Sequence, residues 1–246
     1  MKEPKDTLIL IVDDEVALSR AISRDMQKKG YRTICAASAK EAFEIVKSQK
    51  VDVVLSDIRM PNENGIDLLN QVKAFDNELP VVLLMTGFSD VTLEEAYHLG
   101  ADAIYSKPFD RKQLFEGIRR AITPKDELWA DQSSLDSVNH KVTLTFPDLN
   151  VTLEQKIVIL GRGGMFVGCS EQMPTTDSHI TFKIEFNESK HPAIEGGGIV
   201  RWVRNRPEPG YPRGLGVEFV GLTDNCRHHV FEIIRSLKSK SYIPRI

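Results

Sequence analysis

The sequence predicts an α/β architecture: a doubly wound, parallel five-stranded domain followed by a small antiparallel β-barrel that closes with a helix. Up to about residue 122, short β-branched runs alternate with helical patterns, as in a parallel sheet covered by helices. Beyond residue 137 the pattern changes to period-two strands with no helix between them. Between these halves Thr123-Pro124 stops a helix, and a mostly polar stretch follows, interrupted by Leu128, Trp129 and Ala130. The expected division is therefore 1–123 for the first domain, 124–137 for a linker or docking segment, and 138–246 for the second domain.

In the first domain the strands read 8–12, 32–36, 51–56, 81–86 and 103–106. Between them Leu18, Ile22 and Met26 recur every four residues, and Ala39, Ala42, Phe43 and Val46 form a second apolar stripe, so both helices face a core. Ser38 with Glu41, and Asp110 with Gln113, have the cap-plus-N3 spacing that satisfies free backbone donors at a helix start. Leu114, Ile118 and Ile122 give the last helix its buried face. In such a fold, ligands sit at the carboxyl ends of the strands. In the second domain strands are expected at 141–146, 156–160, 165–169, 180–186, 198–203 and 214–220. Asn187-Glu-Ser-Lys, Glu195-Gly-Gly-Gly and Pro207-Glu-Pro-Gly read as the turns between them, and a helix from about Thr223 carries Val230, Ile233, Ile234 and Leu237.

Bulk properties narrow the function classes. A formal charge of −3 gives no case for general nucleic-acid affinity. The longest apolar runs are far shorter than a membrane span, and the first residues carry charge and a proline, so neither membrane insertion nor a signal peptide is expected. Cys35, Cys169 and Cys226 lack the paired spacing of a zinc site or disulfide framework, which fits a reducing cytoplasm. His228-His229 has no further ligand at metal spacing.

One constellation carries chemistry. Asp13-Asp14 follow the first strand and Asp57 follows the third, so the fold brings three carboxylates to one sheet edge. Such a cluster calls for a cation, and Mg²⁺, which keeps several waters and takes one or two carboxylates plus phosphate oxygens, suits it. Thr86 ends the fourth strand and Lys107 follows the fifth, adding a hydroxyl and an ammonium to the same edge. Together they suit phosphoryl transfer onto Asp57.

With Val12-Asp13-Asp14-Glu15, Ser56-Asp57-Ile58-Arg59-Met60-Pro61, Met85-Thr86-Gly87 and Ser106-Lys107-Pro108-Phe109 in place, the first half resembles the receiver domain of two-component response regulators, which is flavodoxin-like. The resemblance implies Asp57 as phosphoacceptor, Asp13 and Asp14 as metal carboxylates, a metal-facing backbone carbonyl at Arg59, Thr86 as the hydroxyl that moves onto the phosphate, and Tyr105 as the aromatic switch. It also implies a cis Lys107-Pro108 bond, and a histidine kinase or phosphotransfer protein as phosphodonor.

The run Leu160-Gly161-Arg162-Gly163-Gly164-Met165-Phe166-Val167, with Gly198-x-Val200-x-Trp202-Val203 and Gly214-Leu-Gly-Val-Glu-Phe219, resembles the PilZ family over about residues 138–238. Members that bind cyclic di-GMP use an upstream Arg-x-x-x-Arg arm and an Asp/Asn-x-Ser-x-x-Gly turn. No arginine lies between Arg120 and Arg162, so the bidentate phosphate clamp is missing. In the turn, Ile159 and Gly161 stand at the polar positions and only Gly164 matches; an isoleucine cannot accept the guanine's hydrogen bonds. Gly161, Gly163 and Gly164 serve a tight bend or, less simply, cradle a phosphate through backbone amides. Arg201, Arg204, Arg206 and Arg213 beside Trp202 read as solvated charges, with an anionic partner or nucleic acid as the alternative.

The expected function is therefore a response regulator whose degenerate PilZ output acts through protein contacts with a downstream partner or as a homodimer. It is expected not to be an enzyme beyond self-phosphorylation and self-dephosphorylation. The alternative is a cyclic di-GMP receptor that integrates both signals. A DNA-binding role lacks a helix-turn-helix pattern.

Overall fold

The computed structural model describes residues 3–61, 64–87, 91–130, 140–146, 153, 157–168, 173–188 and 192–245. It divides into two units, Met1–Thr123 and Pro124–Ile246.

In the first unit, strands β1 (Leu8–Val12), β2 (Arg32–Ala36), β3 (Val53–Asp57), β4 (Val81–Thr86) and β5 (Ala103–Ser106) form one sheet in the order β2-β1-β3-β4-β5. Every pair is parallel. Helices α1 (Val16–Lys28), α2 (Ala39–Ser48), α3 (Gly65–Phe75), α4 (Leu93–Leu99) and α5 (Arg111–Ile122) alternate with the strands. Because helices cover both faces, β1 and β3 are buried along their whole length and read as continuous rather than alternating apolar runs. One face packs Leu8, Leu10, Val12, Val54, Val82 and Leu84 with residues of α2, α3 and α4. The other packs Ile9, Ile11, Val53, Leu55, Leu83 and Met85 with residues of α1 and α5.

The caps place the helix starts. Ser38 Oγ accepts Glu41 N–H, and the Glu41 carboxylate takes Ala37 N–H rather than that of the cap residue. Asp110 accepts Lys112 N–H. Asn64 and Asp67 form a reciprocal capping box at the start of α3.

Strand β3 starts later than the sequence pattern suggests; before it, at the sheet's amino end, Asp52 N–H donates to the Leu8 carbonyl, its carbonyl accepts Val81 N–H and its carboxylate accepts Leu8 N–H at 2.8 Å. At that end Lys73 and Asp102 also form a buried ion pair, 3.2 Å apart.

The second unit begins with α6 (Lys125–Leu128), followed by β6 (His140–Phe146), β7 (Val158–Leu160), β8 (Gly164–Gly168), β9 (His179–Phe186), β10 (Ile194–Arg204), β11 (Gly214–Leu222) and α7 (Asp224–Leu237). The strands form a six-stranded sheet in the order β6-β9-β10-β11-β8-β7. Its core combines Val158, Phe182, Val217 and Phe219 with Cys226 and Val230 of α7.

Two sequence expectations need correction. The sheet is not wholly antiparallel, because β6 runs parallel to β9. Glu195-Gly196-Gly197-Gly198 is not a turn but the first half of β10, where the register shifts between Gly197 and Gly198. The glycines are needed because β11 approaches so closely that a Cβ at Gly196 would overlap the Gly221 carbonyl. Of the linker and docking readings of 124–137, residues 124–130 follow the docking one: Trp129, 1% exposed, meets Phe219 edge-on and its carbonyl accepts Leu222 N–H. The remainder of the expected linker, 131–137, lies outside the described residues.

Candidate functional site

The strand ends of the first unit assemble the predicted residues. Asp13, directly after β1, is buried; its Oδ1 accepts Glu15 N–H at 2.9 Å, which fixes the carboxylate's direction. Asp57, the last residue of β3, is nearly buried, while Asp14 is exposed. One carboxylate oxygen from each lies within 4.8 Å of the others. Lys107 Nζ donates to Asp57 Oδ2 at 2.8 Å and to Asp13 Oδ2 at 3.0 Å. Lys107 is itself held by its backbone, since its N–H donates to the Thr86 carbonyl and the Lys107-Pro108 bond is cis, as the resemblance implied.

Electrostatics follow from this arrangement. Partial burial pulls the Lys107 ammonium towards lower pKa, but its hydrogen bonds to Asp57 and Asp13, and their charges, outweigh it, and the net direction is up from 10.5. The lysine therefore stays charged throughout the neutral range. Three carboxylates against one ammonium leave an excess of acid, which favours a further cation. In an octahedral Mg²⁺ site with bonds of about 2.1 Å, oxygens on opposite sides stand about 4.2 Å apart. The spread of the three carboxylates is a small side-chain rotation away, so the donor set fits a hard divalent cation.

Thr86 lies at the end of β4, half-buried, and Arg59 lies in the loop after β3 with an exposed side chain. The switch role given to Tyr105 does not fit the geometry. In-register partners in a parallel pair project to the same face, and Thr86 pairs with Ser106 whereas Tyr105 pairs with Met85. Tyr105 accordingly packs on the α1–α5 side, its hydroxyl over Gly117, where a Cβ would overlap it. The β5 residues sharing the face of Thr86 are Ser106 and Ile104.

Two contributors escaped the sequence reading. Ser56 Oγ donates to the Asp57 carbonyl at 2.9 Å. Gly65 opens α3 against the same carbonyl, so closely that a Cβ would overlap it, and its N–H donates to the Ile58 carbonyl. The Asn64-Gly65 pair after Pro61 was the available signal.

In the second unit, Gly161, Arg162 and Gly163 form the bend between β7 and β8, with Gly161 N–H donating to the carbonyl of Gly164, the first residue of β8. The amides of Arg162 and Gly163 donate to the carbonyls of Ser241 and Tyr242, both at 2.9 Å, so they do not cradle a phosphate here. Nor is Arg204 a solvated charge: it is 5% exposed, lies against the rings of Phe166, Trp202 and Tyr211, and donates to the Pro212 carbonyl. Arg201 pairs with Glu218 and Asp177.

The profile of the response regulator receiver domain family matches residues 9–119. Sporulation initiation phosphotransferase F of Bacillus subtilis (strain 168) is 31% identical over 118 residues, which are 48% of this chain and 94% of that protein. The chain belongs to the response regulator receiver family. This membership rests on the first unit. Transcriptional regulatory protein YvrH of the same organism is 33% identical over 166 residues, 67% of this chain and 66% of that regulator. The crystal structure of a receiver domain protein from Clostridium thermocellum shares 29% identity, with a TM-score of 0.47, over 50% of this chain and 98% of that one. The receiver-family chain thus spans about two thirds of YvrH. Among the described residues, no helix is long and apolar enough to cross a membrane.

Proposed function

We propose that the chain is a phosphorylation-controlled regulator in which Asp57 takes a phosphoryl group from the phosphohistidine of a histidine kinase or phosphotransfer protein. The observation that carries this reading is the Lys107 ammonium bridging Asp13 and Asp57 with Asp14 beside them. An Asp57 carboxylate oxygen attacks phosphorus in line; the P–N bond to the donor imidazole breaks, a P–O bond forms, and the imidazole nitrogen is left to take a proton. Lys107, already positioned, offsets negative charge on the phosphoryl oxygens. Mg²⁺, held by Asp13, Asp14, Asp57 and the Arg59 carbonyl, supplies further charge compensation when bound. Thr86 offers its hydroxyl to the phosphorylated state. Hydrolysis of the acyl phosphate returns Asp57, so the chemistry is confined to the protein's own side chain and the chain is not an enzyme towards other substrates. An apolar cavity of about 460 Å³ beside Lys107, lined by Leu18, Ile22, Met26, Pro108, Phe109 and Phe115, gives a phosphodonor protein a surface to meet.

The second unit is read as a PilZ-type output barrel that signals through protein contacts in the cytoplasm and does not take cyclic di-GMP at ordinary cellular levels. The missing arginine arm and the use of the Arg162 and Gly163 amides within the chain support this. The test of the whole reading is incubation with acetyl phosphate and Mg²⁺, followed by intact-mass spectrometry. The wild-type chain gains one phosphoryl group and Asp57→Asn gains none. No gain by the wild type, or equal gain by both, refutes the assignment. Titration calorimetry with cyclic di-GMP checks the second unit, where micromolar binding refutes the degenerate-turn reading.

A further inference from the structure

After α7 the chain runs back across the bend between β7 and β8. Lys238, in the left-handed region at φ 47°, turns it, and Ser241 to Pro244 are buried. This strap docks mainly through its own carbonyls. Ser241 and Tyr242 accept from the Arg162 and Gly163 amides, Lys240 accepts from Arg162 Nε at 3.0 Å, and Arg245 accepts from Arg204 at 3.4 Å. Any extended peptide offers the same acceptors in the same row. Selectivity comes from Tyr242. Its ring lies on Gly163, where a Cβ would overlap it, with Lys125 Nζ 4.8 Å and the Arg162 guanidinium 5.8 Å from its centroid. Its hydroxyl donates to the buried Glu218 at 3.3 Å and accepts from Lys125 at 3.1 Å. Two residues on, Pro244 seats against Gly161, where a Cβ would stand 2.6 Å from its Cδ.

We propose that this groove is a peptide-binding site, filled in cis by residues 239–245, and that its ligand in trans is a linear segment of a protein partner carrying an aromatic residue, one spacer and a proline. The groove has the parts of such a site: two adjacent main-chain donors flanked by arginine side-chain donors, a glycine-floored aromatic pocket with two cations near the ring, and an acid at its end. The strap has the parts of a ligand rather than of the fold. It belongs to no strand or helix, and hydrogen bonds through its carbonyls and the Tyr242 hydroxyl tie it to the rest of the unit. The strap's effective concentration keeps the site masked until a competitor or a change in the chain lifts it. The inference rests on the second unit alone and stands whether or not Asp57 is phosphorylated.

The experiment uses the full chain, as wild type and as Tyr242→Ala, and a fluorescent peptide of residues 239–245, with anisotropy as the readout. The peptide binds the Y242A chain at least tenfold more tightly than the wild-type chain, and a peptide with alanine in the tyrosine position loses at least tenfold. Equal binding to both chains, or none to a Y242A chain with wild-type circular dichroism, overturns the proposal. Should Y242A fail to fold, hydrogen exchange of the wild type decides. Arg162 and Gly163 amides that open well before those of β11 support a detachable strap, and amides that exchange only together with β11 refute it.

Discussion

Two lysines meet carboxylates at opposite ends of the same parallel sheet, and they do opposite work. Lys73 is 1% exposed and pairs with Asp102, whose Oδ2 also accepts Val82 N–H, while Lys73 Nζ donates to the Pro80 carbonyl. Both charged groups are buried and hydrogen-bonded within the protein, so this pair fastens α3 to the sheet. Lys107 is 20% exposed and faces three carboxylates, one of them in solvent. Charge there is unbalanced, and the site is open to what would balance it. The same two functional groups thus make a fastening where they are sealed from solvent, and an arrangement suited to a cation and a phosphoryl group where acid is in excess and the site is open.

The sharpest way to break the contrast is Lys73→Met, which strands a buried carboxylate. The expected cost is about 3–5 kcal/mol, read by urea unfolding, with much of it recovered in the Lys73→Met, Asp102→Asn double variant. Asp57 phosphorylation in the folded fraction is unaffected. Gly65→Ala comes next: its Cβ collides with the Asp57 carbonyl, so the start of α3 must shift. Overpacking of this kind costs about 1–3 kcal/mol, and the rate of phosphorylation by acetyl phosphate falls with it. An unchanged rate would remove Gly65 from the site. Lys107→Met is expected to cost only about 1 kcal/mol, because the ammonium is partly solvated. Unlike the loss at Lys73, that deficit shrinks when Mg²⁺ is added, which a thermal-shift titration would show. The smallest effect is with pH. The folded pKa of Lys107 lies above its ordinary 10.5, so its stabilisation is complete below that value and is lost as pH rises through the folded one. Metal-free unfolding between about pH 10 and pH 12 should steepen in the wild type relative to Lys107→Met.

How far the chain could be read without coordinates depended on the range of the interactions. Strands 8–12, 32–36, 81–86 and 103–106 carry their identity in their own apolar runs and have the predicted bounds. The convergence of Asp13, Asp57 and Lys107 was legible because a doubly wound sheet sends every strand end to one edge. The start of β3 was misread at Asp52, whose backbone and carboxylate answer groups of β1 and β4, partners distant in sequence that no local pattern reveals. The glycine run of β10 was misread for the same reason, since what excludes a side chain there is the backbone of β11. Tyr105 is different: alternation along β5 and its register with β4 decide its face, and period-two counting is available in the sequence once that register is assumed.

The parallel pairing of β6 with β9 also bears on the order in which the second unit assembles. Strands β9, β10 and β11 are successive neighbours and can zip together through short connections, whereas β6 must wait for β9 to be in place and then close a much longer loop. With β9 as its one neighbour among the described strands, it should be a late arrival during folding and an early place for fraying, leaving β9 transiently bare to any other extended chain.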